Sequence, residues 1–239
     1  MANIKTWLLS KSNQYNFYKN NYNQLKEENA LLNEKIKNLE ENNNFSFNNQ
    51  LRGSSGDLGK PKILEFILAN FKKDCKILDI GFGAGVYGKL LKAFFYQNID
   101  GVDVWSKNIK ETGLNHIYNN IFIENVLDFD FDYYDLIIMG DVLEHIELED
   151  SKKLLEKFIN ENKCSSIIVQ VPYVYENEIA HYGNDAERHL QPTIDKEYME
   201  KHFPYLNFYD LITIPAEESC LGRKTGKDTQ CATYIWCNK

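Results

Sequence analysis

Two acids and a histidine stand close together in the segment MGDVLEHIELED, which follows a run of apolar residues. Asp141, Glu144 and His145 stand at positions i, i+3 and i+4, so a helix beginning near Asp141 would carry all three on one face of its first turn. Carboxylate oxygens and imidazole nitrogens bind divalent cations, and this donor set suits Mg, Mn, Fe or Zn without deciding among them. His189, preceded by Glu187, is the favoured fourth ligand. The sequence therefore predicts a metal site at Asp141, Glu144, His145 and His189.

A glycine-rich turn follows the first predicted strand in KILDIGFGAGVYGKLL. Gly81, Gly83 and Gly85 lead from this strand into a helix, and Asp79 stands two residues before the first of them. Such a turn brings bare backbone close to a ligand, and the helix N-terminus offers unpaired N–H groups. About 20 residues further on, Asp103 ends the next strand, where a carboxylate can accept hydrogen bonds from ribose hydroxyls. A nucleotide-type ligand is the prediction.

The register of the glycines separates two kinds of nucleotide ligand. A dinucleotide site requires G-x-G-x-x-G directly after the strand, and the match at Gly83, Gly85 and Gly88 begins two residues late. The pattern D-x-G-x-G-x-G, with a carboxylate before the first glycine, suits a ligand that carries an amino acid group and no pyrophosphate.

The segments ILDIGFGAG, GVDV and DLIIMGDVLEHI resemble the first, second and fourth strand motifs of class I S-adenosylmethionine-dependent methyltransferases. The resemblance covers roughly residues 60–239. It implies a doubly wound, Rossmann-like α/β fold with a seven-stranded sheet, an antiparallel last strand and a cofactor across the C-terminal edges of the strands. It also assigns residues to the methionine part of the cofactor (Asp79, Gly81, Gly83 and Gly85), to the ribose (Asp103) and to the adenine (Asn125, Val126 and Leu127).

The acidic and histidine cluster has a resemblance of its own. It is similar to the E-x-x-E-H motif, followed by a later histidine, of metal-dependent methyltransferases that act on small-RNA 2′-hydroxyls, and partly to the quinone-biosynthesis O-methyltransferases. Asp141 takes the first position, which shortens one arm by a methylene. D-x-L-E-H also occurs in class I methyltransferases without a metal, where Asp141 lines the substrate pocket, Glu144 caps the helix start and His145 packs under the cofactor. A third interpretation makes His145 or His189 a general base toward a hydroxyl. The three stay open at this level.

An oxygen acceptor is favoured, because a hydroxyl must lose its proton to a base or through metal coordination before it attacks. The Asn-rich N-terminal segment, the short coiled coil and the acidic domain look similar to methyltransferases of bacterial surface-polysaccharide biosynthesis. We therefore expect an O-methyltransferase acting on a sugar, nucleotide-linked or phosphorylated precursor. Arg223, Lys224 and Lys227 would hold a phosphate, or else belong to a solvated hairpin. The alternatives are an RNA 2′-O-methyltransferase and a non-catalytic, methyltransferase-like dimerisation module.

Helical and apolar segments alternate from residue 60 onward, which predicts a mostly parallel sheet with helices on both faces. The predicted helices are 61–71, 86–96, 106–114, 145–160 and 194–202, and the predicted strands are 76–80, 99–104, 121–126, 135–140, 166–171, 208–214 and 230–237. The last two strands are joined without a helix, so they should pair antiparallel.

Residues 1–50 are predicted to form a separate N-terminal helical unit, joined by the linker 42–62 to a catalytic domain at 51–239. Apolar and amide residues recur in steps of four and three, as a heptad seam does. This spacing predicts a short parallel coiled coil and a homodimer, and the alternative is a single helix that packs its stripe on the neighbouring domain. The seam residues are Tyr18, Tyr22, Leu25, Asn29, Leu32, Ile36 and Leu39.

The composition limits the remaining choices. The 239 residues are 43% hydrophobic and 26% charged, as in ordinary folded proteins. The net charge of −8 disfavours capture of a nucleic-acid backbone, and no apolar run reaches the roughly 18 residues that span a bilayer. We expect a cytoplasmic protein. Its five cysteines lack CxxC spacing and are expected to be reduced thiols.

Overall fold

The computed structural model describes residues 26, 59–174, 185–191, 193–214 and 228–238 of the chain. The chain divides into two units, Met1–Ser46 and Phe47–Lys239. The seam residues of the predicted coiled coil belong to the first unit and lie outside the described residues. The loop that carries Arg223, Lys224 and Lys227, in the second unit, also lies outside them. No helix in the described part of the chain is long and apolar enough to cross a membrane.

Seven strands form one sheet in the order β3-β2-β1-β4-β5-β7-β6. Strands β1 to β5 run parallel, and β7 lies antiparallel between β5 and β6. The predicted seven-stranded α/β sheet with an antiparallel last strand is confirmed. The strand order reverses between β1 and β4, and in open α/β sheets ligands bind in the crevice at such a switch point. The bounds are β1 Lys76–Ile80, β2 Asn98–Asp103, β3 Ile121–Ile123, β4 Tyr134–Gly140, β5 Cys164–Pro172, β6 Asn207–Ile214 and β7 Thr229–Cys237.

Helices cover both faces of the sheet, which is why its central strands are apolar on both sides. Ile77 and Ile138 belong to the core that contains side chains of α1 and α2. Leu78 and Ile137 belong to the other core, with side chains of α4 and α5. The helices are α1 Lys60–Asn70, α2 Val86–Ala93, α3 Lys107–Glu111, α4 Leu148–Asn160 and α5 Lys196–His202, with 3₁₀ helices at Leu114–His116, Leu143–His145 and Asp185–Glu187.

The structure corrects the prediction of a helix that begins near Asp141. Asp141 has a left-handed backbone, with φ of 54°, and its N–H donates to the carbonyl oxygen of Gln170 at 2.9 Å. The left-handed backbone is incompatible with a first helical turn at Asp141, and the hydrogen bond continues the pairing of β4 with β5 by one residue. The chain therefore forms a short 3₁₀ helix at Leu143–His145, and α4 begins only at Leu148. The predicted strand 121–126 is also shorter, since β3 ends at Ile123.

Candidate functional site

The glycine turn between β1 and α2 requires glycine for its conformation and for the space around it. Gly81, Gly83 and Gly85 all have left-handed backbones, with φ of 66°, 50° and 74°. A Cβ atom at Gly81 would lie 2.4 Å from Cγ2 of Val142, the second residue after β4. Gly85 is the N-cap of α2, so the turn ends at a helix N-terminus with unpaired N–H groups. The turn therefore presents bare backbone at the switch point of the sheet.

Asp103 lies beside this turn at the end of β2. Its Oδ2 atom accepts a hydrogen bond of 2.8 Å from the backbone N–H of Gly83, and its Oδ1 atom accepts one of 2.7 Å from Trp105. Burial raises the pKa of the Asp103 carboxyl, and these backbone hydrogen bonds oppose the rise. The carboxylate thus ties the turn to β2 and retains lone pairs for a ligand.

The residues predicted to contact adenine lie in the turn after β3, which neighbours β2 in the sheet. The side chain of Asn125 accepts a hydrogen bond of 3.0 Å from the N–H of Leu127. Val126 is buried, whereas Leu127 is 39% exposed. Val104, which follows β2, is 48% exposed, so a second apolar side chain that the sequence reasoning missed is available at this edge.

The side chain of Asp79 is turned into the protein. It is 1% exposed, and its Oδ2 accepts a hydrogen bond of 2.6 Å from the hydroxyl of Tyr118. A second hydrogen bond comes from the backbone of Gly88. Burial raises the pKa of Asp79 to about 7, against the opposing effect of these two hydrogen bonds. The structure therefore places Asp79 beneath the turn, with its carboxyl engaged by Tyr118.

This buried acid should make folding stability depend on pH. Between its ordinary pKa of 3.8 and the folded value of about 7, the folded state binds a proton that the unfolded state releases. Stability is lost as the pH rises through this interval, by about 4 kcal/mol. Urea unfolding from pH 5 to 8 should therefore show a steeper loss in the wild type than in Asp79→Asn.

The control for this experiment is Asp132→Asn, which removes an 85% exposed carboxylate and should follow the wild-type pH profile. A wild-type profile in Asp79→Asn would contradict the assignment.

Glu144, His145 and His189 come together on and above the 3₁₀ helix that follows β4. Glu144 is 2% exposed, and neither carboxyl oxygen accepts a hydrogen bond from the described residues. Nε2 of His145 lies 3.7 Å from Oε1 of Glu144, and the rings of His145 and His189 have centroids 5.0 Å apart. One ligand atom from each of the three residues lies within 4.8 Å of the other two. These are three of the four predicted metal ligands, and Asp141 is not part of this group.

The electrostatics of Glu144 are those of a buried acid that accepts no hydrogen bond from the described residues. Its pKa is raised well above the ordinary value, first by burial and then by the negative charge of Asp141. Burying a carboxyl group without a hydrogen bond costs free energy, and a bound cation would remove that cost. The cluster therefore has the donor chemistry of a divalent-cation site.

Residues 185–191 lie against the 3₁₀ helix and bring His189 to the cluster. The N–H of Leu190 donates to the carbonyl oxygen of Glu144 at 2.8 Å, and the side chain of Gln191 donates to that of Leu143 at 2.6 Å. Nδ1 of His145 lies 3.0 Å from the carbonyl oxygen of Arg188. Because a carbonyl can only accept, Nδ1 carries a proton, and in the neutral imidazole Nε2 has its lone pair on the side of Glu144.

Asp141 belongs to a different group of polar side chains, under the edge of the sheet. Its Oδ2 lies 3.5 Å from Nζ of Lys60, whose side chain is 2% exposed. The same ammonium donates to Oε1 of Gln170 at 3.0 Å and lies 4.9 Å from the centre of the Tyr87 ring. The hydroxyl of Tyr87 also donates to Gln170.

Sequence reasoning missed Lys60, Gln170 and Tyr87. No local motif marks them, because they come from α1, β5 and α2 and meet only in the folded sheet. The close packing shows at Gly140, the last residue of β4, where a Cβ atom would lie 2.2 Å from the Tyr87 ring, but a glycine in the sequence does not tell which side chain fills the space beside it.

The fold and the site together define a class I, Rossmann-like methyltransferase, with a glycine turn and a strand-end carboxylate at the switch point of a seven-stranded sheet. The chain matches the Methyltransferase domain family over residues 56–194 and belongs to that family. No curated protein matches the sequence significantly.

Three solved structures illustrate the similarity of the fold. Magnesium protoporphyrin IX methyltransferase (ChlM) from Synechocystis PCC 6803, with bound SAM, has a TM-score of 0.50 and 11% identity over 74% of this chain and 77% of that chain. The N-methyltransferase NodS from Bradyrhizobium japonicum WM9 has a TM-score of 0.50 and 13% identity over 74% and 94%. The N-terminal domain of EvdMO1, with SAH bound, has a TM-score of 0.52 and 13% identity over 78% and 82%. The predicted enzyme class, an S-adenosylmethionine-dependent methyltransferase, is confirmed.

Proposed function

We propose that this methyltransferase transfers the methyl group to a hydroxyl oxygen of a small polar molecule. The observation that carries the proposal is the buried carboxyl of Glu144, which accepts no hydrogen bond from the described residues and stands beside His145 and His189. Amines and thiols are nucleophilic enough with modest help, whereas a hydroxyl has to lose its proton. A cluster of one acid and two imidazoles at the edge of the sheet where the cofactor is assigned could remove that proton.

The cofactor supplies a methyl group on a sulfonium. We assign its methionine part to the turn of Gly81, Gly83 and Gly85, with Asp79 beneath it, and its ribose to Asp103. The left-handed glycines and the strand-end carboxylate support this assignment. Adenine is assigned to Asn125, Val126 and Leu127, after β3. Holding the acceptor within about 3–3.5 Å of the methyl carbon and in line would contribute roughly 7–11 kcal/mol to catalysis.

A divalent cation is assigned to Glu144, His145 and His189. The residues fit such an ion for three reasons. The donor set is carboxylate and imidazole, the Glu144 carboxyl accepts no hydrogen bond from the part of the chain that the structure describes, and Nδ1 of His145 already donates to a backbone carbonyl. Mg, Mn, Fe and Zn are all compatible with these donors, and the ion would lower the pKa of a bound hydroxyl. Without an ion, His145 or His189 would take the proton as a general base.

The proposed acceptor is a sugar, nucleotide-linked or phosphorylated carbohydrate precursor in the cytoplasm. This part of the proposal rests on the sequence resemblance to polysaccharide-modifying methyltransferases and on the cations Arg223, Lys224 and Lys227, which suit a phosphate. The net charge of −8 argues against RNA as the acceptor.

The direct test is an assay of S-adenosylhomocysteine release with four panels of acceptors: carbohydrates and nucleotide sugars, amines, thiols, and RNA with free 2′-hydroxyls. Turnover with the carbohydrate panel, and a product whose mass spectrum places the methyl on oxygen, is the expected result. Turnover confined to amines or thiols would refute the proposal. Turnover with RNA that falls steeply as the salt concentration rises would identify a nucleic acid, and not a carbohydrate, as the acceptor.

We further propose that residues 1–50 pair two chains through the heptad seam. Its core positions Tyr18, Leu25, Leu32 and Leu39 are spaced by seven, and Asn29 stands at a position where a buried amide favours a parallel pair. Removal of residues 1–45 should convert a dimer into a monomer, measured by light scattering, while cofactor affinity stays within about threefold. A dimer of the truncated chain would place the interface in the catalytic domain instead.

A further inference from the structure

The amino acid end of S-adenosylmethionine carries an ammonium group, which a carboxylate near the glycine turn could bind. Asp79 precedes the glycine turn in sequence, but its side chain is 1% exposed and is bound to the hydroxyl of Tyr118. Moving that carboxyl toward the crevice would leave the buried Tyr118 hydroxyl without its acceptor, which is costly. Asp79 is therefore not available to the ammonium, and a second acid near the glycine turn is the candidate.

Asp141 has the position that Asp79 lacks. It is the first residue after β4, which pairs directly with β1, and the next residue, Val142, packs so close to Gly81 that a Cβ atom there would lie 2.4 Å from it. The side chain of Asp141 is 13% exposed, so a ligand can reach it. Its left-handed backbone, with φ of 54°, is uncommon for a residue other than glycine, and such strain is often found at ligand sites.

Lys60 holds this carboxylate from below. Its ammonium is almost fully buried and lies 3.5 Å from Oδ2 of Asp141 and 3.0 Å from Oε1 of Gln170. Burying an ammonium is expensive, and a hydrophobic residue of similar volume often serves stability as well or better. The lysine thus holds Oδ2 of Asp141 with a positive charge. The second carboxylate oxygen, Oδ1, can then face a ligand.

We propose that Asp141 receives the ammonium group of the cofactor's methionine part, and that Lys60 is the positioning residue that holds Asp141 for it. A carboxylate–ammonium hydrogen bond in a partly buried crevice is strong. The neighbouring Glu144, deeper and closer to the two histidines, is left for the acceptor side of the site. This inference concerns the cofactor alone and is independent of the acceptor.

The test compares two ligands by titration calorimetry, S-adenosylhomocysteine and 5′-methylthioadenosine. Both have an uncharged sulfur, and only the first has the amino acid part. Asp141→Asn should weaken S-adenosylhomocysteine about 10- to 100-fold, as expected for loss of a hydrogen bond to a charged group, and change 5′-methylthioadenosine by less than about threefold. Lys60→Met should give the same selective loss, and the double variant should be no weaker than Asp141→Asn alone. Asp132→Asn is the control, because the side chain of Asp132 is 85% exposed and belongs to neither proposed site.

Three results would overturn the inference: an equal loss for both ligands in Asp141→Asn, a selective loss in Asp79→Asn but not in Asp141→Asn, or losses that multiply in the double variant. If Lys60→Met does not fold, the comparison of Asp141→Asn with Asp79→Asn still decides the ammonium contact. No acceptor is used, so a failed acceptor screen leaves the outcome of this experiment unaffected.

Discussion

Replacement of Asp103 by alanine should weaken binding of S-adenosylmethionine by at least about 100-fold. In the proposed cofactor site the variant removes the acceptor of two ribose hydroxyls, and hydrogen bonds to a charged group are worth about 1.5–3 kcal/mol each. It also deprives the backbone N–H groups of Gly83 and Trp105 of their acceptor, which lies 2.8 and 2.7 Å away. The glycine turn would then lose its tie to β2 along with the ligand contact. Titration calorimetry with S-adenosylmethionine measures the effect.

Two further variants show whether the loss at Asp103 has the proposed cause. Asp103→Asn keeps one acceptor oxygen, so its affinity should fall between those of the wild type and Asp103→Ala. Asp132→Ala removes a solvent-exposed carboxylate and should bind normally. S-adenosylhomocysteine and 5′-methylthioadenosine share the ribose, and both should be weakened at Asp103. Affinity within threefold of the wild type in a folded Asp103→Ala protein would remove Asp103 from the cofactor site.

The position of Asp103 at a strand end and the glycine turn after β1 could be predicted from the sequence because both features are local. Each feature is specified within a few residues: one is a strand that ends in a carboxylate, and the other is a strand that is followed by alternating glycines. The parallel arrangement of β1 and β2 then follows from the alternation of helices and strands. The backbones of Gly81 and Gly85 have positive φ angles, which residues with a side chain rarely adopt.

The segment after β4 could not be predicted in the same way. The spacing of Asp141, Glu144 and His145 matches one face of a helix, but a contact with β5 decides the backbone. The N–H of Asp141 donates to the carbonyl oxygen of Gln170, 29 residues later in the sequence. This hydrogen bond extends the sheet pairing past the end of β4 and separates Asp141 from the other two side chains. The helical periodicity therefore gave the wrong backbone geometry for this segment, although Glu144 and His145 do lie close together.

Non-local packing also explains why neither the buried orientation of Asp79 nor the involvement of Lys60 could be predicted from the sequence. The motif places Asp79 next to the glycines, yet Tyr118, 39 residues away, binds its carboxyl and keeps it buried. Lys60 stands in the first turn of α1, where a lysine is ordinarily solvated, and only the folded sheet brings Gln170 and Asp141 to its ammonium. In both cases a distant residue overrides the local expectation.

Removal of divalent metal should lower the turnover of the enzyme by at least about 100-fold. A metal ion that acidifies a bound hydroxyl provides several kcal/mol of transition-state stabilisation, and the acidic oxygens of Glu144 have no other partner among the described residues. Dialysis against a chelator, followed by addition of Mg, Mn, Fe or Zn, measures the loss and its recovery with an acceptor found in the screen. Elemental analysis of the dialysed and reconstituted protein measures the metal content independently of activity. Glu144→Gln and His189→Ala should each lose the metal and keep the affinity for S-adenosylmethionine, because the cofactor is assigned to other residues: the glycine turn, Asp103 and Asp141. The matched control is His202→Ala on α5, a histidine that packs against Tyr198 and belongs to no metal-binding group among the described residues.

Full turnover in excess chelator, together with normal turnover of His189→Ala, would contradict the metal assignment and leave Glu144, His145 and His189 as residues that only line the acceptor pocket. If the chelator has no effect but His189→Ala is inactive, the imidazole acts as a general base and the hydroxyl acceptor stands without the metal.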